Sequence, residues 1–214
     1  MIDRSGIARS IAGRAAALVA AAALVLGACG SDDGGDSSLA GIVRDPAPVV
    51  DGTVLPSVAE EGEIVEFRAR QGGLQAVYFG YTSCPDVCPT TLADLTVALR
   101  KLPDDQAAMV DTVMVTVDPD RDLDILAGYV QSFIPDADAA GTDNNELLAE
   151  AAEPFGAVYS VAALDDGTIE VEHSPFLYVV NDRGELVVTW QFGETSDNMA
   201  ADMATLLARG GAPA

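Results

Sequence analysis

The sequence predicts an α/β domain with a central mixed sheet, and three observations lead there. An apolar, aromatic run at residues 76–81 is followed, after Pro89, by a helical pattern. A second apolar run at 109–117 then completes a strand–helix–strand unit. The chain closes on two strands joined by a tight turn and on a last helix. The first unit demands parallel strands with a right-handed crossover. The tight turn demands antiparallel ones, so the sheet must be mixed.

The elements follow in order. Residues 1–28 read as an export signal. Arg4, Arg9 and Arg14 precede an apolar run at 15–26, shorter than the roughly 20 residues of a permanent membrane span. The run ends in Leu26-Gly27-Ala28-Cys29, which resembles a bacterial lipobox. Cys29 is therefore expected to carry lipid and to hold the protein on the extracytoplasmic face of the cell membrane. Residues 29–44 read as a flexible tether, rich in Gly, Ser and Asp at its start, and 45–210 as the folded domain.

Within that domain, Pro46, Pro48 and Pro56 suggest extended chain along an edge, and 63–68 alternates as an edge strand, giving an added N-terminal edge hairpin. Gln71-Gly72-Gly73 turns the chain into the core strand. Leu92, Leu95, Leu99 and Leu102 mark one face of a helix over 89–102, and Pro103-Asp104-Asp105 breaks it. After the strand at 109–117, a helix is expected over 123–133, and a second, capped by Asn144 or Asn145, runs to 155. An Asp165-Asp166-Gly167 turn predicts a hairpin of 157–163 with 168–171. Strands at 176–180 and 185–192 flank a turn at 181–184, and Ser196 or Asp197 caps a helix to 208. Trp190 and Tyr178 read as core. A βαβ unit followed by β-β-α is the thioredoxin layout, a three-layer sandwich, here with a helix and hairpin inserted over 123–171.

Composition excludes several functions. The 214 residues carry a net charge of −23, which argues against nucleic acid, whose phosphates need Lys and Arg. It argues equally against electrostatic docking on anionic lipid. A hydrophobic fraction of 49% excludes general disorder.

The chemistry centres on Cys84-Pro85-Asp86-Val87-Cys88-Pro89, between a core strand and a helix N-terminus. That end of a helix favours anions, and a thiolate is one. Three residues separate the cysteines. Regular helical geometry would hold their β-carbons about 5–6 Å apart, while a disulfide wants about 3.5–4.5 Å. Two thiolates on one metal tolerate sulfurs about 4 Å apart. The spacing suits a metal and still permits a disulfide. His173 is the single histidine. It precedes a predicted core strand, in the loop that a thioredoxin layout brings beside the cysteine turn. Two soft thiolates and an imidazole suit Cu(I). Zinc would need a fourth ligand such as Asp86 or Asp118, and Cu(II) an added oxygen donor. A thiol–disulfide exchange couple needs only Cys84 and Cys88. A peroxidase reading would need Arg121 at the thiolate. Asp118, Asp120 and Asp122 lack the glycine and distal glutamate of a calcium loop.

The run from Tyr78 to Leu92, the stretch Val117-Asp118-Pro119-Asp120-Arg121-Asp122 and the later His173 together resemble the Sco/SenC family, over roughly residues 45–209. The resemblance implies a membrane-tethered, thioredoxin-fold copper metallochaperone, expected to be a monomer. Cys84, Cys88 and His173 would be the copper ligands, with Asp86 and Asp118 beside them. It also implies a role in assembling the copper A centre of cytochrome c oxidase, by copper delivery, by reduction of its cysteines, or both. The alternative is an extracytoplasmic thiol–disulfide oxidoreductase. Two departures stand out: a lipid anchor is expected in place of a transmembrane helix, and Ser83 occupies a position where many relatives carry histidine.

Overall fold

The structure is a computed structural model and describes residues 38–212. The expected signal segment and Cys29 lie outside the described residues. In chain order, β1 (Val54–Pro56) and β2 (Ile64–Glu66) pair antiparallel as a small sheet of their own. They are the expected hairpin, but 64–66 does not join the central sheet. Next come β3 (Leu74–Gly80), α1 (Val87–Lys101), α2 (Asp104–Ala107) and β4 (Val110–Thr116). Then follow α3 (Pro119–Asp122), α4 (Leu126–Gln131), β5 (Asp138–Ala140) and α5 (Asn145–Ala152). The chain ends with β6 (Tyr159–Ala163), β7 (Ile169–His173), β8 (Phe176–Asn181), β9 (Leu186–Gln191) and α6 (Ser196–Ala208).

The central sheet runs β5-β4-β3-β8-β9. β4 lies parallel to β3 and β5, while β8 is antiparallel to β3 and β9. The sheet is mixed, as the connections require. Its side chains alternate between two cores, the period-two signature of a sheet covered on both faces. Tyr78, Met114 and Leu177 face α1, α4 and α6. Val77, Val113 and Val180 face α5, β1 and β2. Trp190 and Tyr178 are fully buried, as expected of core residues. Residues 38–57 follow the sheet's rim through bridges of Ile42 with Thr189, Val49 with Glu185 and Ser57 with Ala140. Their start is clamped by buried Asp202, which accepts from the backbone N–H groups of Ala40 and Gly41 and from the Trp190 indole.

Several boundaries differ from expectation. α1 begins at Val87, so Cys88 and Pro89 both lie in its first turn, where a missing N–H costs little. The helix expected over 123–133 is broken into α3 and α4, because Pro119 starts a helical turn four residues early. α2 occupies the expected break at 103–105. β5 was not expected at all. Asp138, Ala139 and Ala140 have weak strand propensity and are recruited by β4. Asn144 caps α5 through its side chain, but Thr195, rather than Ser196 or Asp197, caps α6.

β6 and β7 form a separate two-stranded sheet. Its turn is built by Gly167 at φ +85°, by the Thr168 N–H donating to the Asp166 carboxylate, and by the Leu164 N–H donating to the Thr168 carbonyl. His173 is the last residue of β7, paired with Tyr159, so it sits on a strand end rather than in a free loop. The Ser174 N–H donates to the Val158 carbonyl and closes the base of the hairpin.

Candidate metal centre

Strand β3 ends at Gly80 against the N-terminus of α1, and this junction holds the two cysteines. A β-carbon on Gly80 would lie 2.7 Å from the Tyr78 ring and 3.2 Å from Cys88 Sγ. The backbone therefore passes the Tyr78 ring at a distance only glycine allows, with the sulfur in tight contact beside it. Cys84 and Cys88 are both buried and not disulfide-bonded. The Cys88 N–H, one of the unpaired donors of the first helical turn, points at Cys84 Sγ at 3.3 Å. From the hairpin, His173 brings its Nε2 to 3.5 Å from Cys88 Sγ. One ligand atom from each of Cys84, Cys88 and His173 lies within 4.8 Å of the others. Ligands sharing one ion at about 2.0–2.3 Å stand roughly 4 Å apart, so the three atoms can share an ion.

The imidazole is preset for ligation. His173 Nδ1 lies 3.1 Å from the Ser174 carbonyl. A carbonyl only accepts, so Nδ1 carries the proton and the Nε2 lone pair faces the sulfurs. Burial holds the His173 pKa below the ordinary imidazole value, partly offset by the Ser174 and Phe79 backbones, which keeps the ring neutral near pH 7. The rings of Tyr78 and Tyr81 wall it in edge-on, at 6.0 Å and 5.7 Å between centroids.

Burial also pushes the Cys88 thiol up to about 12. The helix N-terminus was expected to favour a thiolate, but at Cys88 desolvation wins, and the free site holds a protonated thiol there. A metal ion would displace that proton. The Tyr78 hydroxyl is buried beside Cys88 and Thr91 and completes no hydrogen bond. A metal-bound thiolate would give this orphaned donor an acceptor. Soft sulfur, a neutral imidazole and a waiting donor fit a soft cation such as Cu(I).

Other residues named from sequence fall elsewhere. Asp86 is exposed at the start of α1, and its carboxylate meets Thr90 Oγ1 at 3.5 Å. Asp118 is buried and ion-paired with Arg121. Among the described residues neither carboxylate joins the three-ligand cluster. Arg121 is committed to Asp118, which removes the support for the peroxidase reading. Ser83 is exposed.

One residue was missed. Asp122 is fully buried and accepts from Thr82 N at 2.9 Å, Thr82 Oγ1 at 2.5 Å and Thr116 Oγ1 at 2.7 Å. It ties the loop before Cys84 to the end of β4. Among the described residues no lysine or arginine pairs with it. Its signal in sequence was faint: an acid after a strand end, in a stretch with two others.

The profile described as SCO1/SenC matches residues 56–208. The chain belongs to the SCO1/SenC family. It is 30% identical over 139 residues to an SCO2-like protein of Rickettsia typhi, covering 64% of this chain and 68% of that one. It is 38% identical over 111 residues to the mitochondrial SCO2 homologue of Mus musculus, covering 50% of this chain but 43% of the relative. Among solved structures, apo Sco1 of Thermus thermophilus matches with 31% identity and a TM-score of 0.68, over 81% of this chain and 99% of that one. Copper-bound ScoI of Bradyrhizobium japonicum matches with 27% identity and a TM-score of 0.61, over 71% and 95%. The SCO1/SenC domain here is thus the thioredoxin-like fold expected from its strand order.

Proposed function

We propose that this SCO1/SenC protein is a copper metallochaperone that loads the copper A centre of cytochrome c oxidase. The observation that carries this reading is the convergence of Cys84, Cys88 and His173 within 4.8 Å. The family membership and the copper-bound relative support it. Cys84 and Cys88 would hold Cu(I) as thiolates, and the His173 Nε2 lone pair would complete a three-coordinate site that can release its cargo to a competing thiol-rich site. The test is a copper titration of the reduced full chain with X-ray absorption. One ion per chain with two Cu–S and one Cu–N contacts is expected. His173→Ala should lose the nitrogen contact and bind at least about 10-fold more weakly. Absence of Cu–S scattering, or unchanged binding in His173→Ala, would falsify the reading.

A second reading rests on the same pair of free cysteines, whose Cys88 N–H already contacts the Cys84 sulfur. As a dithiol couple they would reduce the copper A cysteines. A redox titration in which the pair stays locked in one state at accessible potentials excludes it.

The sequence of the first 29 residues supports export and acylation at Cys29. Among the described residues no helix is long and apolar enough to cross a membrane. Labelling with a tagged fatty acid should mark the wild type and not Cys29→Ala.

A further inference from the structure

Buried polar atoms nearly always find a partner, so one that does not asks for a reason. The Tyr78 hydroxyl is such an atom. Tyr78 is fully buried, and its oxygen completes no hydrogen bond in the free protein. Leaving it so costs stability, and a phenylalanine would fill the same space without that cost. Thr91, beside it, has already given its own proton to the Val87 carbonyl at 2.9 Å. Gly80 sets where the ring stands. The ring carbon Cε1, next to the one that bears the hydroxyl, lies 2.7 Å from the point a Gly80 β-carbon would occupy, and Cys88 Sγ lies 3.2 Å from that same point. The missing side chain is what lets the phenol and the sulfur come together.

What the hydroxyl can do there depends on the charge of the sulfur. A neutral sulfur, in a thiol or a disulfide, accepts hydrogen bonds weakly. A thiolate accepts them strongly, because its charge assists. Burial first, and then the charge that Cys88 can carry, hold the Tyr78 pKa far above the ordinary phenol value, so the hydroxyl keeps a proton to offer. Cys84 Sγ has a backbone donor in the Cys88 N–H at 3.3 Å. Tyr78 is the side chain that stands ready to do the same for Cys88.

We propose that Tyr78 is a positioning residue for the metal-loaded state: its hydroxyl is unpaired in the free protein and donates to the Cys88 thiolate once copper is bound. The chain is then less stable when empty, and binds copper more tightly, than it would with phenylalanine at this position. The proposal rests on the metallochaperone reading above and adds to its three ligands a residue that touches no metal. Its signature is a pair of opposite signs. A tyrosine that only supported the fold would lose stability on truncation, and one unrelated to the sulfur would leave affinity alone.

The experiment compares the full chain with Tyr78→Phe and, as a control, Tyr178→Phe. Tyr178 also carries a buried, unpaired hydroxyl, but it belongs to the other core, across the sheet from the sulfurs. Thermal unfolding of the reduced, metal-free chains is measured first. Cu(I) affinity follows, by competition with a chromogenic chelator, and then the near-ultraviolet sulfur-to-copper absorption. Metal-free Tyr78→Phe should unfold at a temperature no lower than wild type and bind Cu(I) about 10-fold more weakly. Its absorption should move to longer wavelength, since a sulfur without its donor yields electrons more easily. Tyr178→Phe should keep wild-type affinity and absorption. Wild-type Cu(I) affinity in Tyr78→Phe overturns the donor role and leaves the three-ligand site standing. A lower unfolding temperature in Tyr78→Phe, or its failure to fold, also overturns it, because the hydroxyl would then be paired in the free protein. Equal weakening in both variants overturns it as well, as a general effect of trimming a core tyrosine. A wild type that binds no Cu(I) defeats the metallochaperone reading, and the donor role falls with it.

Discussion

Cys84 and Cys88 sit on an element locked into the core, whereas His173 arrives on a two-stranded hairpin whose outer half is in solvent. The cysteine turn is gripped from below by the Asp122 carboxylate, from behind by Gly80 and Tyr78, and from ahead by α1. The imidazole is steadied by one backbone carbonyl and two ring edges. The sulfur pair is thus part of what makes the protein fold, and the nitrogen is a peripheral addition. A cargo site needs this division: two ligands that stay and one that can be drawn away without cost to the fold.

Substitutions can break that contrast. Cys88→Ser carries the largest expected effect. It should abolish Cu(I) binding in a competition titration with a chromogenic chelator, because one imidazole and one thiolate are too few soft donors. Asp122→Ala comes next. It strands the Thr82 N–H and two hydroxyls in a buried site and should cost about 3 kcal/mol in denaturant unfolding. His173→Ala should cost under about 1 kcal/mol in the same assay. Equal losses in the two variants would erase the distinction between core and periphery. Gly80→Ala should cost about 2 kcal/mol through overpacking against Tyr78, and it should alter the Cu–S distances by displacing Cys88.

The smallest effect is on pH dependence. The folded His173 has a depressed pKa, so the unfolded chain takes up a proton first as pH falls below about 6.5. The stability associated with the neutral ring is therefore present above about pH 6.5 and is lost as pH falls through the folded value. Thermal unfolding of the reduced, metal-free chain should show this slope in wild type and a flatter one in His173→Gln. Identical slopes would mean the ring is not buried enough to matter.

How much was legible in the sequence depended on how local the cause was. The cysteine turn was readable because two prolines and an aromatic run act within a few residues. The hairpin was readable from Asp165-Asp166-Gly167, since Gly167 meets a backbone demand of the turn itself. β5 was not, because three small or charged residues become a strand only when β4 offers its edge. Asp122 was not, because its partner Thr82 lies 40 residues away, and no local pattern distinguishes it from Asp120. The thiolate expected at Cys88 failed for a similar reason: the helix end is local, but the burial that outweighs it comes from the whole fold. Convergence of His173 on the cysteines followed from topology alone, and the register that aims it was not visible.

That register has a consequence for how such a site can change over time. In a ribbon where every second side chain points the same way, a one-residue slip swaps the faces. Glu172 would then look toward the sulfurs and the imidazole would turn to water. The choice between a nitrogen and a carboxylate oxygen is therefore made at the opposite end of the hairpin, in the loop closed by Gly167. Deleting one residue from that loop rewrites the donor set without touching any donor.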